Sequence, residues 1–192
     1  MKILMQWMLW VTAAAFLGGC AWVPQNVNLK PEPKVTASGI GNGTRVALKV
    51  LDIRPSKIIG YRGMDSKLAK ITSTQDLVEI VREKISEGLA KKGFQIVPYN
   101  EQAQRILKVE IRAVEYSTDS EFWKGTAKAK AALQAFSKND YQTFDQVYVA
   151  QKEEAASEAP RAKTNERLIN GAIAEAMQRL LEDQKLVYFL TN

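Results

Sequence analysis

The spacing of hydrophobic positions changes period several times along the chain, and each change marks an element. In "RVALKVLDIRP", Val46, Leu48 and Val50 alternate with Ala47, Lys49 and Leu51, the period of two expected of a half- or fully buried strand. Pro55 ends the run, and residues 55–72, "PSKIIGYRGMDSKLAKIT", hold glycines and no sustained period. They predict a long loop or a hairpin of short strands. The period then becomes 3.6. Leu77, Ile80, Val81, Ile85 and Leu89 fall on one helical face. Ser73 precedes them with Asp76 three positions on, a near capping box. Gly93 follows Lys91 and Lys92, the order expected at a helix C-terminus, where basic side chains meet the negative end of the dipole.

Beyond the helix, Phe94 to Val97 predicts a short strand closed by Pro98. "RILKVEIRAVEYS" predicts a longer one, with Leu107, Val109, Ile111 and Ala113 on one face and Ile106, Lys108, Glu110 and Arg112 on the other. Separation of this kind implies a sheet covered on one side and wet on the other, hence antiparallel pairing. The Ala/Lys run "WKGTAKAKAALQAFSKND" has helix-favouring composition, but its period is two. It predicts a strand that turns at Lys138-Asn139-Asp140 into the alternating run "YQTFDQVYVAQ". A polar stretch, "KEEAASEAPRAK", leads to a last amphipathic helix through Leu168, Ile169, Ala172, Ile173, Ala176, Met177, Leu180 and Leu181. "KLVYFLTN" then docks as a strand or a last helical turn. The expected fold is α+β, an antiparallel sheet of about four to five strands with two amphipathic helices packed on one face.

The first residues follow another logic. After Lys2, Ile3 to Leu17 are apolar except for Gln6 and Thr12. That run of about fifteen residues is short for a spanning helix and right for the apolar region of a secretory signal peptide. Leu17-Gly18-Gly19-Cys20 ends it and resembles the bacterial lipobox. Small residues let a peptidase reach the bond between Gly19 and Cys20, and the Cys20 thiol takes a diacylglyceryl group, followed by N-acylation of the new terminus. Several acyl chains make such an anchor stable, at about 0.8 kcal/mol for each buried methylene. The alternative is an ordinary signal peptide cut elsewhere, with Cys20 left as a free thiol. Ala21 follows the cysteine. By the lipoprotein sorting rule, the lack of Asp there favours the outer membrane over the inner. Trp22 would then sit at the membrane interface, where indoles are favoured. Residues 21–43 hold Pro24, Pro31, Pro33, Gly39, Gly41 and Gly43 and predict a flexible tether. The chain thus divides into a signal peptide (1–19), an acylated cysteine and tether (20–43), and one periplasmic domain (44–192).

Composition narrows the chemistry. The chain has 192 residues, 46% of them hydrophobic, enough for one packed domain. It contains no histidine and one cysteine. Imidazole-based catalysis, imidazole metal ligation, an internal disulfide and a thiolate cluster are therefore excluded. The net charge of +6 suits weak attraction to anionic lipid or acidic polymers, or simply a solvated lysine-rich surface. Export argues against nucleic acid.

The lipobox, "VLDIRP", "IIGYRG", the helix ending "LAKKGF", the Ala/Lys strand and the C-terminal amphipathic helix, in this order, resemble the YajG-type bacterial lipoproteins. The resemblance implies an outer-membrane lipoprotein facing the periplasm. It carries no catalytic residues, because the family has no established activity.

Among candidate sites, Asp52 and Arg54 point to one side at the end of the first strand. They form either an ion pair that fixes the loop or, with Lys57, Arg62, Lys67 and Lys70, a basic interaction surface for phospholipid headgroups, peptidoglycan or an acidic partner. Gly60 and Gly63 bracket Tyr61 and Arg62, but no phosphate-loop spacing is present. Phe122 and Trp123 either cap the core or form a sticky contact. Glu153, Glu154 and Glu158 read as a solvated acidic run. No metal, cofactor or catalytic set is expected beyond the lipid on Cys20. The expected function is that of a non-enzymatic envelope lipoprotein that binds a protein or cell-wall partner or assists envelope or secretion assembly. The alternative is a periplasmic small-ligand binder or an enzyme using carboxylates.

Overall fold

Strand β6, Ile106–Glu121, organises the sheet, and the computed structural model shows how the chain is hung on it. The described residues are 23–62, 69–121, 124–139, 142–156 and 160–192. Gly19, Cys20, Lys67, Phe122 and Trp123 lie outside them. The other strands are β1 (Gln25–Asn26), β2 (Arg45–Asp52), β3 (Gly60–Tyr61), β4 (Lys70–Thr72), β5 (Gln95–Pro98), β7 (Lys124–Lys138) and β8 (Thr143–Ala156). The helices are α1 (Leu77–Lys91), α2 (Ala162–Leu181) and α3 (Gln184–Thr191).

Along one edge β6 pairs antiparallel with β7, and β7 with β8. This meander is the sheet the alternation predicts, and it settles the Ala/Lys stretch as strand. The other edge of β6 forks. Its first half takes β2 in parallel, Ala47 opposite Ile106 through Asp52 opposite Ile111. Its second half takes β3 in parallel, Gly60 opposite Tyr116. β5 adds parallel to β2, β4 antiparallel to β3, and β1 parallel to β4. The expected antiparallel sheet of four to five strands is therefore corrected to a mixed sheet of eight. In β2, Val46, Ala47, Leu48 and Val50 are all buried, as befits a parallel strand enclosed on both sides.

A bulge between Ile111 and Ala113 shifts the phase of β6. Before it, Leu107, Val109 and Ile111 point inward; beyond it, Val114 and Tyr116 do. Ala113, expected on the inner face, is displaced from it. On the wet face Lys108 and Arg112 bracket Glu110 at 3.0 and 3.3 Å.

Helix α1 starts at Asp76, not Ser73. The Asp76 carboxylate accepts the N–H groups of Val78 and Glu79, while the Ser73 hydroxyl accepts from Gln75 N. The helix ends as expected, with Gly93 at φ +88°, a conformation open to glycine without strain. The predicted stripe of α2 is buried throughout. It packs on β7 and β8, with α1 beside it over β2. Each fully buried Leu, Ile or Met here contributes roughly 1.5–3 kcal/mol. "KLVYFLTN" forms the helix α3, capped by Asp183. The Asp183 carboxylate also accepts the Tyr148 hydroxyl at 2.6 Å, tying the corner between α2 and α3 to β8.

The expected tether is the largest correction. Over its described part, residues 23–43, the chain is a strap bound to the domain. Val27 and Leu29 are buried. Glu166 accepts Asn28 N, Asn170 accepts Lys30 N, and Glu182 accepts Thr36 N, at 3.1, 2.7 and 2.8 Å. The geometry closes on itself. Residues 28 to 36 in extended, proline-compatible conformation cover about 25 Å at 3.1 Å each. Helix residues 166 to 182 cover about 24 Å at 1.5 Å each. The prolines that suggest a loose tether instead hold the strap at the pitch its partners require.

Candidate interaction surfaces

Within the predicted patch, Asp52 and Arg54 turn to each other, and Lys67 lies outside the described residues. Arg54 Nε and Nη2 each donate to Asp52 at 2.8 Å. The Arg54 hydrogen bonds pull the Asp52 carboxyl below its ordinary value, with Lys57 adding a smaller effect of the same sign. The guanidinium is largely buried, and its Nη1 has no partner among the described residues. Asp52 and Arg54 therefore fix the chain where it leaves β6 between β2 and β3. Arg62 lies farther along that edge, past Gly60. Its Nη1 donates to Val23 O at 3.5 Å, and its Nε is buried without a partner among the described residues. It holds the start of the strap.

The strap has a second anchor inside the protein. The Tyr116 hydroxyl donates to Asn165 Oδ1 at 2.6 Å. Asn165 Nδ2 donates to Gln25 Oε1 at 2.9 Å, and Gln25 Nε2 to the Ala162 carbonyl at 2.7 Å. Asn165 is wholly buried. Burial raises the Tyr116 phenol well above the usual tyrosine range, while the Arg62 charge acts weakly the other way. The phenol is a fixed neutral donor in a satisfied polar chain, which favours one arrangement of strap and helix.

A groove of about 600 Å³ lies at the opposite end of α2. Its walls include Thr36, Ile40, Lys92, Glu182, Val187 and Tyr188. Lys92 Nζ lies 3.1 Å from Glu182 and 3.5 Å from Thr36 O. Burial pushes the Glu182 carboxyl upward, but the Thr36 N–H and Lys92 outweigh it and leave it below its ordinary value. The pair joins the C-termini of α1 and α2, where a cation is favoured by both dipoles. Above it, Ile40 and Tyr188 are 52% and 68% exposed. An ionised carboxylate already held by an ammonium is poorly suited to general-base work. The apolar lip with fixed charges behind it suits binding.

Sequence reasoning missed this groove. Lys92 reads as a helix-end charge, and its burial depends on the strap lying over it. A legible signal exists in α2, where Glu166, Asn170, Gln178 and Glu182 form a polar stripe at multiples of four, and three of the four hold the strap. Among the described residues no group of acidic or sulfur ligands could hold a metal ion, and no helix is long and apolar enough to cross a membrane.

The fold has solved relatives. A Xanthomonas campestris protein aligns with a TM-score of 0.57 at 8% identity, over 85% of this chain and 95% of its own. A homologue of neuraminyllactose-binding hemagglutinin from Helicobacter pylori aligns with a TM-score of 0.53 at 10% identity, over 87% and 97%. At such identity the likeness is one of fold. No curated protein matches by sequence. The model of a family described as uncharacterised lipoprotein matches residues 31–191. The chain belongs to that family, which includes the YajG-type proteins.

Proposed function

We propose, from that membership, that the protein is a non-enzymatic envelope lipoprotein, cleaved before Cys20 and acylated there, whose periplasmic domain binds an envelope protein or cell-wall partner. The observation that carries the anchor is Leu17-Gly18-Gly19-Cys20 directly after a short apolar run, in a chain whose matched region belongs to a lipoprotein family. Ala21 after the cysteine supports the outer membrane as destination. The binding role is supported by the groove at the end of α2, with exposed Ile40 and Tyr188 over the Lys92–Glu182 pair. Such a site takes an apolar or aromatic side chain presented by a larger partner.

Radiolabelled palmitate tests the anchor directly. It enters the wild-type protein and fails to enter Cys20→Ser; equal incorporation overturns the reading. Replacing Ala21 by Asp should move the protein from the outer- to the inner-membrane fraction on a density gradient. A photo-crosslinker at Tyr188 in intact cells should give a discrete adduct that one at exposed Tyr61 does not. Identical adducts from both positions would dissociate the groove from binding.

A further inference from the structure

The lipid-anchor reading acquires a geometric consequence once the strap is fixed, and the inference here rests on that reading. Two residues, Ala21 and Trp22, separate Cys20 from Val23, whose carbonyl is held by Arg62. The three steps from Cys20 to Val23 span at most about 11 Å. Two residues beyond Val23, Gln25 pairs with Ile71 and is hydrogen-bonded to the start of α2. Helix α2 is 20 residues long, or about 30 Å. An anchor so close to one end of the domain keeps that end at the bilayer, and the length of the helix lets the other end stand off from it.

The strand register identifies the anchored end. Val23 lies just before β1, Arg62 just after β3, and Arg62 N donates to Ala69 O just before β4. The closing pair of the β6–β7 hairpin, Glu121 opposite Lys124, and the last residues of β8 lie at the same end. The start of α2 completes it, through Gln25 and Ala162. Lys70, Arg161 and Lys163 are exposed here and form no ion pair with a described residue. Of the acids nearby, Asp119 is paired with Lys128 and Glu154 with Arg167, while Glu166 accepts Asn28 N and Glu153 accepts from Gln151 and both keep their charge. Arg62, Lys70, Arg161 and Lys163 outnumber those two, so the charge of these described side chains is positive. Near an anionic surface each such cation contributes about 1 kcal/mol.

We propose that this end of the sheet is a lipid-contact surface that rests on anionic headgroups and holds α2 pointing away from the membrane. The groove at Lys92 and Glu182 is thereby presented outward, about 30 Å from the contact, as far from the bilayer as the helix allows.

The test uses the full acylated protein in vesicles of phosphatidylethanolamine and phosphatidylglycerol that carry a nitroxide on the headgroup. A fluorophore is placed at Ala162→Cys or at Gln184→Cys, both exposed positions at opposite ends of α2. Quenching several-fold stronger at 162 than at 184 is expected. A long Gly/Ser insertion between Trp22 and Val23 should erase the difference while flotation with the vesicles persists. Lys70→Glu, Arg161→Glu and Lys163→Glu together should weaken quenching at 162. Equal quenching at both labels in protein that floats overturns the orientation and leaves the anchor intact. Failure of the acylated protein to float overturns the anchor and the orientation with it.

Discussion

The meander of β6, β7 and β8 and the half of the domain built from β1 to β5 share one core, but they are specified differently. In the meander, neighbouring strands are neighbours in sequence, and register follows from a turn and an unbroken alternation. β7 and β8 pair from Lys138 opposite Thr143 to Gly125 opposite Ala156. In the other half, strands of two to eight residues pair mostly in parallel with remote partners. Between its short pairing with β4 and its backbone bonds to the end of α1, the strap is held by side chains: Glu166, Asn170 and Glu182 each take one of its N–H groups. The difference teaches that local pattern suffices for a meander, whereas the parallel half depends on pairings between residues far apart in sequence.

The largest expected effect comes from the element both halves need. Met177 is fully buried in the α2 stripe. Met177→Ala should cost about 2–5 kcal/mol and lower the urea midpoint of the entire domain in a single transition. A first transition confined to the strap would show that the halves do not share a core.

Next is the polar chain at the joint. Asn165→Ala leaves the Tyr116 hydroxyl and the Gln25 amide oxygen without their partners, at about 1–3 kcal/mol each. Hydrogen exchange should accelerate over residues 25–30 far more than over β7. Uniform acceleration would mean that Asn165 supports the core generally and not the strap in particular.

Gly60 tests the fork of the sheet. A Cβ there would lie 2.1 Å from the Tyr116 carbonyl oxygen, which has no freedom to retreat. Gly60→Ala should cost about 1–3 kcal/mol as an overpacked site and expose the β3 and β4 amides to exchange, while the β6–β7 ladder keeps its protection. Equal loss of protection in both would make the fork and the meander one cooperative unit.

The same contrast explains how much the sequence discloses. Alternation identified β2, β6, β7 and β8, and the 3.6 period identified α1 and α2, because each is written in contiguous residues. The parallel half was hidden. β1, β3 and β4 are too short to show a period, and the alternation of β2 does not say which strands it pairs with. The strap is illegible for a related reason. Prolines disfavour regular structure but also stabilise an extended segment, and composition does not say whether a partner awaits it. The Asp52–Arg54 pair was foreseen as one of two alternatives, and its geometry favours the loop-fixing one. Arg62, expected in the basic interaction surface, places its Nη1 3.5 Å from Val23 O. The Lys92–Glu182 groove joins residues ninety positions apart, a relation no window of sequence contains.

The smallest effect separates the far end of the strap from the rest by pH. In the folded protein the Glu182 carboxyl lies below its ordinary value of 4.5. The folded state therefore binds this proton less readily than the unfolded chain. The stability it contributes is present above pH 4.5 and is lost as pH falls through the folded value. Glu182→Gln removes that contribution. The side chain is 34% exposed, so solvent screening holds the difference between wild type and variant to about 1 kcal/mol near neutrality. The gap should close as pH falls below 4.5, because the wild type then carries a neutral side chain as well. Asp52, also lowered, remains in both proteins and gives them a shared acid slope. Urea midpoints measured from pH 7 down to pH 3 would show the two curves converging. Coincident curves would mean that Glu182 acts through the Thr36 hydrogen bond, which glutamine retains, and not through the charge of Lys92.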